Sequence, residues 1–502
     1  MFSEALSAAV IGIDAALIRV ETDVSDGLPV FDMVGLPGSE VREARERVRV
    51  AMKNSGYRFP AKRITVNLSP ADVRKEGTAF DLAIAISILT SFGQLSKSQT
   101  KNIMFLGELG LDGSVKRIRG ILPALEDGKK QGVSVFFLPS ENGPEASLVK
   151  DVRIIAVSSL KQAVLILQGR TKADDLEKAH FSAAAGISAD FCEIAGQQSA
   201  KRAAEVAAAG FHHLLLTGPP GSGKTMIARR MRGILPPLSE PEQLYLSRLY
   251  SAAGLLDEKR PVVSERPFRE VTFPISPGAL LGGGKKLKPG EAVLASHGIL
   301  FMDELPEFGR AVLELLLQPL EERNIRLTGP RGALSYPAFF MLVGAMNPCD
   351  CGYYPDMSRC RCNPYRLNRY RSRITRAFWD RIDIVSETKQ MDFKQIGTAK
   401  EESSLQIRER VEHAWEIQKA RYRGLPFSWN SALPSKLLDE FCPLGREENR
   451  LMKQLFGKGL LSIRGYDTLR RTARTIADLA GEKQIHCGHL TEAYFYRKKD
   501  EG

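Results

Sequence analysis

The stretch LLLTGPPGSGKTMIARRM, residues 214–231, decides how the surrounding chain folds. It consists of an apolar strand, a glycine-rich loop and the start of a helix, and the residues from Gly218 to Thr225 satisfy G-x-x-x-x-G-K-[ST]. Main-chain N–H groups of such a loop wrap phosphates, because glycine lets the backbone approach them closely. We therefore predict a phosphate-binding loop, with the Lys224 ammonium at the β- and γ-phosphates and the Thr225 hydroxyl on Mg²⁺. The candidate nucleotide-binding residues of the loop are Gly218, Pro219, Pro220, Gly221, Ser222, Gly223, Lys224 and Thr225.

Two further apolar runs end in polar side chains suited to hydrolysis. GILFMDELPEF, 298–308, contains the acidic pair Asp303 and Glu304, and FFMLVGAMN, 339–347, ends in Asn347. Alone, such residues are typical of solvated turns. Downstream of a phosphate-binding loop, however, an acidic pair can hold the metal and polarise the attacking water. We assign Asp303 to Mg²⁺, Glu304 to the catalytic base and Asn347 to orienting the water.

Two arginines complete the candidate catalytic residues. Arg381 lies in FWDRIDI, 378–384, and Arg464 lies in SIRGYDTLRRTAR, 462–474. Either guanidinium can reach a γ-phosphate, but lone arginines are more often surface residues, so spacing leaves both interpretations open. The candidate catalytic residues are Lys224, Asp303, Glu304, Asn347, Arg381 and Arg464.

Composition places the chain among soluble globular proteins of several domains. It has 502 residues, of which 43% are hydrophobic and 26% charged. The start has no basic region typical of a secretory signal, and apolar runs such as 339–346 fall short of the ~20 residues of a membrane helix. We expect a cytoplasmic protein without a membrane partner. The net charge of +12 is compatible with a polyanionic partner but is weak support alone.

The pattern of elements divides the chain into four parts. Residues 1–170 alternate strand-like and helical runs, 171–187 read as a charged linker, 188–395 predict a parallel sheet with crossover helices, and 396–502 are helical. The predicted strands of the first part are ITVNL (64–68), IMFLGEL (103–109), SVFFLP (134–139) and VRIIAV (152–157), and its predicted helices are 39–56 and 79–93.

These elements resemble an AAA+ ATPase, and closely the magnesium chelatase-like ComM/YifB family of bacterial proteins. The resemblance covers nearly all of the chain. It rests on GLPVFDMVGLPGSEVREARERVRVAMKNSG (27–56), RITVNLSPADVRKEGTAFDLAIA (63–85), FLGELGLDGSVKRIRG (105–120), GQQSAKRAAEVAAAGFHHLLLTGPPGSGKT (196–225), GILFMDELPEF (298–308), AMNPCDCG (345–352) and RGYDTLRRTARTIADLAG (464–481). It implies an α/β protein with a Lon protease-like N-terminal domain, an AAA+ parallel-sheet core and a C-terminal helical lid.

The resemblance also implies individual roles. Gly196 and Gln197 would lie near the adenine of ATP, and Asn347 would be sensor 1. Arg381 corresponds to an arginine finger inserted into the neighbouring subunit's site, and Arg464 to a sensor-2 arginine that starts a lid helix. Because a finger acts in trans, the family implies a ring, most simply a homo-hexamer.

The N-terminal part resembles the Lon protease domain, in which a Ser-Lys dyad cuts peptides. Matching KEGTAFD (75–81) and RIRGILPAL (117–125) to that domain puts Ala79 at the serine and Leu122 at the lysine. Peptide cleavage needs a nucleophile and its base. Because alanine and leucine supply neither, proteolysis is disfavoured. The resemblance instead implies that this domain is an assembly or DNA-binding scaffold.

Four of the seven cysteines lie in CDCGYYPDMSRCRC, 349–362. In a reducing cytoplasm, a tight cluster is more often a metal site or redox centre than a disulfide framework. Four thiolates suit tetrahedral Zn²⁺, so we predict a structural zinc site. Reduced thiols without metal and a redox switch are the alternatives. The candidate ligands are Cys349, Cys351, Cys360 and Cys362.

A basic segment follows the cysteines, with no carboxylate from Met357 to Trp379 and with Tyr365 and Tyr370 interleaved. Guanidinium groups bind phosphates and tyrosines stack on bases, so the segment favours a DNA strand as partner. Alternatively, some of these arginines face a neighbouring subunit or nucleotide. The arginines are Arg359, Arg361, Arg366, Arg369, Arg371, Arg373 and Arg376.

A hairpin is the second candidate for contact with DNA. In NIRLTGPRGALSYPAFF, 324–340, two strand-like runs flank a Gly-Pro-Arg-Gly turn. Ring helicases similar to this family point such hairpins into the central pore, which would bring Arg326 and Arg331 to DNA. A plain surface hairpin is the alternative.

Taken together, the residues and the resemblance predict an ATP-dependent hexameric helicase or translocase acting on single-stranded or branched DNA. The family implies branch migration in homologous recombination or natural transformation. A magnesium chelatase-like ATPase subunit and an ATP-driven protein remodelling factor are the alternatives.

Overall fold

The computed structural model describes residues 1–173, 189–257, 259–284, 287–329, 332–390, 401–457 and 461–497. These residues form two compact units. The first unit holds the described residues up to 173 together with Ser239–Ser264, and the second holds the remaining described residues. The predicted linker, 171–187, lies outside the described residues beyond its third position. Within the described ranges, we find no helix with the length and apolar character of a membrane span.

The strands, in chain order, are β1 (Phe2–Ile11), β2 (Asp14–Ser25), β3 (Val30–Val34), β4 (Arg63–Ser69), β5 (Ile103–Phe105), β6 (Glu108–Leu109), β7 (Val115–Lys116), β8 (Val135–Pro139), β9 (Arg153–Val157), β10 (Leu214–Thr217), β11 (Phe268–Val271), β12 (Gly282–Gly283), β13 (Lys288–Pro289), β14 (Ile299–Met302), β15 (Asn324–Gly329), β16 (Gly332–Pro337), β17 (Met341–Met346) and β18 (Ile384–Glu387).

The α-helices are α1 (Ser39–Asn54), α2 (Asp81–Ser91), α3 (Lys97–Thr100), α4 (Ile121–Lys130), α5 (Gly143–Ala146), α6 (Leu160–Leu167), α7 (Gln198–Gly210), α8 (Lys224–Ile234), α9 (Glu240–Ala253), α10 (Pro277–Leu281), α11 (Glu291–Leu294), α12 (Gly309–Leu315), α13 (Leu317–Glu322), α14 (Pro364–Arg371), α15 (Arg376–Trp379), α16 (Ser404–Arg421), α17 (Leu438–Phe441), α18 (Arg446–Gly457), α19 (Ile463–Leu479) and α20 (Cys487–Phe495).

Five parallel strands form the sheet of the second unit, in the order β11-β14-β17-β10-β18. Every residue of β14 and β17 is buried, as expected for a parallel sheet covered on both faces. The predicted parallel-sheet core and helical C-terminal part are confirmed. Because the carboxyl ends of parallel strands meet at one edge, the polar residues that follow β10, β14, β17 and β18 come together there.

The first unit contains a seven-stranded mixed sheet in the order β3-β4-β2-β1-β5-β8-β9. Helix α2 packs on it, and all eleven of its residues are buried, as its apolar composition on every face requires. Ala79 packs against the apolar cluster that contains the buried Leu122. Apolar packing therefore fills the two positions at which a Lon protease would have its dyad, although the Lon-like assignment itself stays a prediction.

The prediction of one strand over 103–109 is wrong. The run divides into β5, which pairs with β8 in the large sheet, and β6, which pairs with β7 in a separate hairpin. Between them, the Gly107 N–H donates to the Ala79 carbonyl, and the Gly107 carbonyl accepts from the Leu82 N–H. These bonds to residues at the start of α2 replace sheet pairing, which a local pattern does not reveal.

One segment between α8 and β11, Ser239–Ser264, is part of the first unit. Its helix α9 begins with a capping box formed by Ser239 and Glu242. Arg248 of this helix donates to the Ile13 carbonyl at 2.6 Å and to the Asp127 carboxylate at 2.5 Å. These charge-assisted bonds fix α9 on the first unit.

Candidate nucleotide site and cysteine cluster

The phosphate-binding loop joins β10 to α8. Gly221 and Gly223 have φ of 73° and 89°, in the left-handed region that glycine adopts without steric cost. A Cβ on Gly218 would lie 2.2 Å from the Thr388 hydroxyl oxygen. Glycine is therefore required where the loop turns into α8 and where it passes Thr388. The free N–H groups at the start of α8 suit an anion.

Lys224 lies inside this loop. Its Nζ donates to the carbonyls of Gly218 and Pro219 at 2.7 and 2.9 Å and to Asn347 Oδ1 at 3.1 Å. Burial lowers the pKa of the ammonium, and the carboxylates of Asp303 and Glu304 oppose that shift. The predicted phosphate ligand and the predicted sensor 1 thus lie in direct contact.

The acidic pair follows β14. Thr225 Oγ1 donates to Asp303 Oδ2 at 2.7 Å. Two oxygens at adjacent positions around one Mg²⁺ lie about 2.9 Å apart when each is 2.0–2.1 Å from the ion, so this hydroxyl and carboxylate fit the metal. Glu304 is exposed and has φ of 50°, a left-handed backbone that costs a non-glycine residue roughly 1–2 kcal/mol. Such strain is concentrated at functional sites.

Asn347 is held from behind by Tyr370, whose hydroxyl donates to the Asn347 carbonyl at 3.0 Å. The Tyr370 ring is buried, and burial raises the pKa of its hydroxyl. The sequence-based prediction that Tyr370 stacks on a base is therefore wrong. Its ring packs inside the protein, and its hydroxyl is used to position the asparagine.

Gln197, predicted to lie near the adenine, joins the phosphate-binding loop to the segment after β18. Its Nε2 donates to the carbonyls of Ser222 and Lys389 at 3.1 and 2.6 Å, and its Oε1 accepts from the Lys389 N–H. The Gly196 N–H donates to Glu401 Oε1 at 2.6 Å. Adenine contact itself stays a prediction.

Sequence reasoning missed Thr388. Its Oγ1 lies 2.6 Å from the Ser222 hydroxyl, and its N–H donates to the Thr217 carbonyl at 2.7 Å. A threonine at a strand end carries no distinctive signal. Only the position of β18 beside β10 brings it to the loop.

The two candidate arginines lie together. Arg381 Nη2 donates to Glu321 Oε2 at 2.5 Å and its Nη1 to the Ala377 carbonyl at 2.6 Å, while Arg464 Nη2 donates to Glu321 Oε1 at 2.6 Å. These bonds go to neither the phosphate-binding loop nor the acidic pair. The two arginines are therefore linked through the Glu321 carboxylate. Neither is bonded to the phosphate-binding loop that contains Lys224.

The four clustered cysteines converge, with all four sulfur atoms within 4.8 Å of one another. Cys349 Sγ lies 3.4 Å from Cys351 Sγ and 3.8 Å from Cys360 Sγ, and the last two are 3.6 Å apart. Tetrahedral zinc with bonds of ~2.3 Å places sulfurs about 3.8 Å apart, whereas a disulfide needs about 2.05 Å. The donor set therefore fits zinc.

The cysteine cluster also contacts the phosphate-binding loop. Gly352 has φ of 86°, and a Cβ on it would lie 2.5 Å from Pro220 Cδ. Cys349 is buried, two residues beyond Asn347, and its sulfur accepts from the Tyr354 N–H. A metal that fixes this turn would also support the loop and sensor 1.

We expect purified protein to contain about one zinc per chain, and Cys351→Ser/Cys360→Ser to lose it, because two thiolates no longer close the site. ATP binding should weaken about tenfold, or ~1.4 kcal/mol, since the turn no longer supports Pro220. Elemental analysis and nucleotide titration measure the two effects. The matched control is Cys487→Ser in α20, outside the cluster. A zinc-free wild-type protein purified without chelator would contradict the site.

The basic segment divides into two groups. Three arginines are engaged within the protein: Arg359 with Gln390, Arg371 over the Tyr354 ring, and Arg373 with Glu307. The remaining arginines, Arg361, Arg366, Arg369 and Arg376, are exposed, as is Arg359. Tyr365 is 72% exposed. These four remaining arginines are therefore the part of the segment most available to a partner.

The predicted hairpin is confirmed. Strands β15 and β16 pair antiparallel up to Gly329 opposite Gly332. Arg326 is exposed on β15, whereas Arg331 lies outside the described residues.

A phosphate-binding loop, an acidic strand end and a polar residue on the strand between them, on one edge of a parallel sheet with a helical C-terminal part, define an AAA+ protein. Models of magnesium-chelatase families match most of the chain. "Magnesium chelatase, subunit ChlI" matches residues 190–396, "Subunit ChlI of Mg-chelatase" matches 20–142, and "Magnesium chelatase, subunit ChlI C-terminal" matches 401–497.

Individual proteins narrow the family. The chain is 39% identical over 499 residues to the competence protein ComM of Haemophilus influenzae, covering 98% of this chain and 96% of that protein. It is 38% identical over 494 residues to the uncharacterized protein YifB of Salmonella typhimurium, covering 98% and 96%. The magnesium-chelatase 67 kDa subunit of Heliobacterium mobile is 28% identical over 187 residues, covering 32% of this chain and 28% of that protein. The chain belongs to the ComM/YifB family of magnesium chelatase-like AAA+ ATPases.

Proposed function

We propose that this chain is a cytoplasmic AAA+ motor that assembles into a homo-hexameric ring, hydrolyses ATP between subunits and moves along single-stranded or branched DNA. The motor promotes branch migration in homologous recombination, including recombination of DNA acquired by natural transformation. The name of the Haemophilus influenzae relative, a competence protein, supports this role.

The separation of the two arginines from the phosphate-binding loop carries the proposal. Lys224 bonds to Asn347, whereas the guanidinium groups of Arg381 and Arg464 bond to Glu321. Neither arginine bonds to the phosphate-binding loop of its own chain, as expected of an arginine that serves a neighbouring subunit, where it contributes about 10³–10⁵ in rate. An arginine supplied in trans requires contact between subunits, and this requirement supports assembly in a ring.

The remaining residues divide the work of hydrolysis. Lys224 and the loop N–H groups bind the β- and γ-phosphates of ATP, and Thr225 and Asp303 would hold Mg²⁺, which would neutralise developing phosphate charge. Glu304 accepts the proton of the attacking water, and Asn347 orients that water. The Glu304 carboxylate is exposed, so it is accessible to water.

The exposed part of the basic segment supports DNA as the partner. The side chains of Arg361, Arg366, Arg369 and Arg376 present four guanidinium groups, and Tyr365 adds an exposed ring. The guanidinium groups attract the phosphates of a DNA backbone, and bases can stack on the tyrosine ring. Neither interaction requires a particular DNA sequence.

Replacing Arg361, Arg366, Arg369 and Arg376 by alanine should abolish most of the DNA stimulation of ATP hydrolysis. For binding to single-stranded DNA, the slope of log K (the binding constant) against log[salt] should decrease in magnitude by about 0.7 for each phosphate contact that is lost. Fluorescence titration at several salt concentrations and the ratio of rates with and without DNA measure the two effects.

The control changes the same number of charges on α1, by replacing Arg42, Arg45, Arg49 and Lys53, all exposed, with alanine. It should leave the salt slope unchanged. Equal losses in both variants would mean that net charge alone, not the basic segment, is responsible.

A magnesium-chelatase ATPase subunit is the second candidate, favoured by the names of the three matching family models. One of those models covers 20–142, so the N-terminal region does not separate the two functions. ATPase assays with single-stranded and forked DNA do. A flat response to both would remove the motor on DNA and favour a chelatase subunit or a protein remodelling factor.

A further inference from the structure

The carboxylate of Glu321 is divided between the two arginines. Oε2 accepts from Arg381 Nη2 and Oε1 accepts from Arg464 Nη2, so each oxygen binds one guanidinium by its terminal nitrogen. Glu321 lies at the end of α13, Arg381 lies two residues after α15, and Arg464 lies in the first turn of α19. Sequence separations of 60 and 143 residues show that this is a tertiary arrangement.

The arrangement differs from an ordinary surface ion pair. The Arg381 side chain is only 14% exposed and is also tied to the Ala377 carbonyl, whereas Arg464 and Glu321 are 44% and 51% exposed. Two positive charges share one negative charge, which leaves an excess of one positive charge at a partly open surface. Without the carboxylate, the two guanidinium groups would repel each other and separate.

The Nε of Arg381 adds a second observation. This nitrogen is buried and has no hydrogen-bond partner among the described residues. A buried donor without an acceptor is uncommon and calls for an explanation. The orientation of the guanidinium is therefore set by Ala377 and Glu321, at the expense of its third donor site.

We propose that Glu321 is a positioning residue, which holds Arg381 and Arg464 as one unit so that both approach the same phosphate group of nucleotide bound by the neighbouring subunit. The inference rests on the proposed function, because it needs that neighbour. Two guanidinium forks at a fixed separation match the oxygens of a phosphate better than two independent side chains, since their arrangement is established before the phosphate arrives.

The test uses Glu321→Gln in the full-length protein, assembled with forked DNA. A displacement of about 1 Å costs roughly 10²-fold in rate, so kcat should fall 10–100-fold. The Kd for ATP should change less than about twofold, because the phosphate-binding loop is untouched. Glu321→Asp, which keeps the carboxylate, should recover part of the rate. A purely structural role would instead lower Tm and affect kcat and Kd together.

Glu314→Gln is the matched control, since Glu314 makes an exposed bond to Arg310 on the neighbouring helix α12. It should hydrolyse ATP at the wild-type rate. In addition, Glu321→Gln/Arg464→Ala should be little slower than the slower single variant, because coupled residues are not additive. If the losses in rate of the two single variants simply added in the double variant, the proposal that Glu321 holds the two arginines as one unit would be overturned.

Two failures can be told apart. A wild-type kcat in Glu321→Gln, with Arg381→Ala inactive, overturns the positioning role and leaves the proposed function intact. A wild-type kcat in both variants would contradict the proposed function itself, because Arg381 would then not act on the nucleotide of a neighbouring subunit. Should Glu321→Gln be destabilised more than its control, the rates of Glu321→Asp and Arg464→Ala decide the question.

Discussion

Arg381→Ala is expected to lower kcat for ATP hydrolysis about 10³-fold or more, with ATP still bound. An arginine supplied by a neighbouring subunit contributes about 10³–10⁵ in rate, because its charge meets the charge that develops on the transferred phosphoryl group. The side chain bonds to Glu321 and Ala377 and not to the phosphate-binding loop of its own chain. Steady-state rates with nucleotide titrations separate the loss of turnover from a loss of binding.

Mixing experiments test whether the arginine acts in trans. Arg381→Ala subunits keep an intact loop, and Lys224→Ala subunits keep an intact arginine. In a random equal mixture, about a quarter of the interfaces combine the two intact parts and regain activity. Arg310→Ala, at an exposed pair with Glu314, is the control and should hydrolyse ATP normally. An Arg381→Ala protein with full activity would exclude the finger.

Lys224→Ala should weaken ATP binding by about 2–5 kcal/mol, at least ~30-fold, and remove hydrolysis. Truncating one partner of a desolvated, hydrogen-bonded charge pair has this cost. Burial lowers the pKa of the Lys224 ammonium, which means that the folded chain disfavours this charge. We therefore expect the fold to persist when the ammonium is removed. Isothermal titration with ATP and Mg²⁺ measures the binding, and Tm measures the fold.

The exposed Lys436 is the matched control for Lys224, because Lys436→Ala removes the same charge from the surface. It should bind ATP with the wild-type Kd. Tight ATP binding by Lys224→Ala would place the nucleotide elsewhere and contradict the whole assignment of the site.

Much of the nucleotide site is predictable because its chemistry is local. The loop from Gly218 to Thr225 is contiguous, and its glycines are required by backbone conformation that a sequence pattern records directly. The acidic pair and Asn347 each follow an apolar run, and parallel strands bring such ends to one edge. Their direct contacts with the loop agree with this reasoning.

Other features depend on contacts that no local pattern contains. Tyr370 looks like a base-stacking residue in a basic segment, yet it is buried and supports Asn347. Thr388 reaches Ser222 only because β18 lies beside β10. Gly352 contacts Pro220 because the cysteine turn folds back over the loop.

The sequence by itself determined the family, and it predicted the phosphate-binding loop and the cluster of four cysteines, since short contiguous stretches carry all three. Only the tertiary structure decided that one carboxylate, Glu321, holds Arg381 and Arg464, and that Ser239–Ser264 belongs to the first unit. The physical reason is range. Backbone conformation and ligand spacing are fixed by neighbouring residues, whereas burial and pairing between distant segments are fixed by strand order and packing.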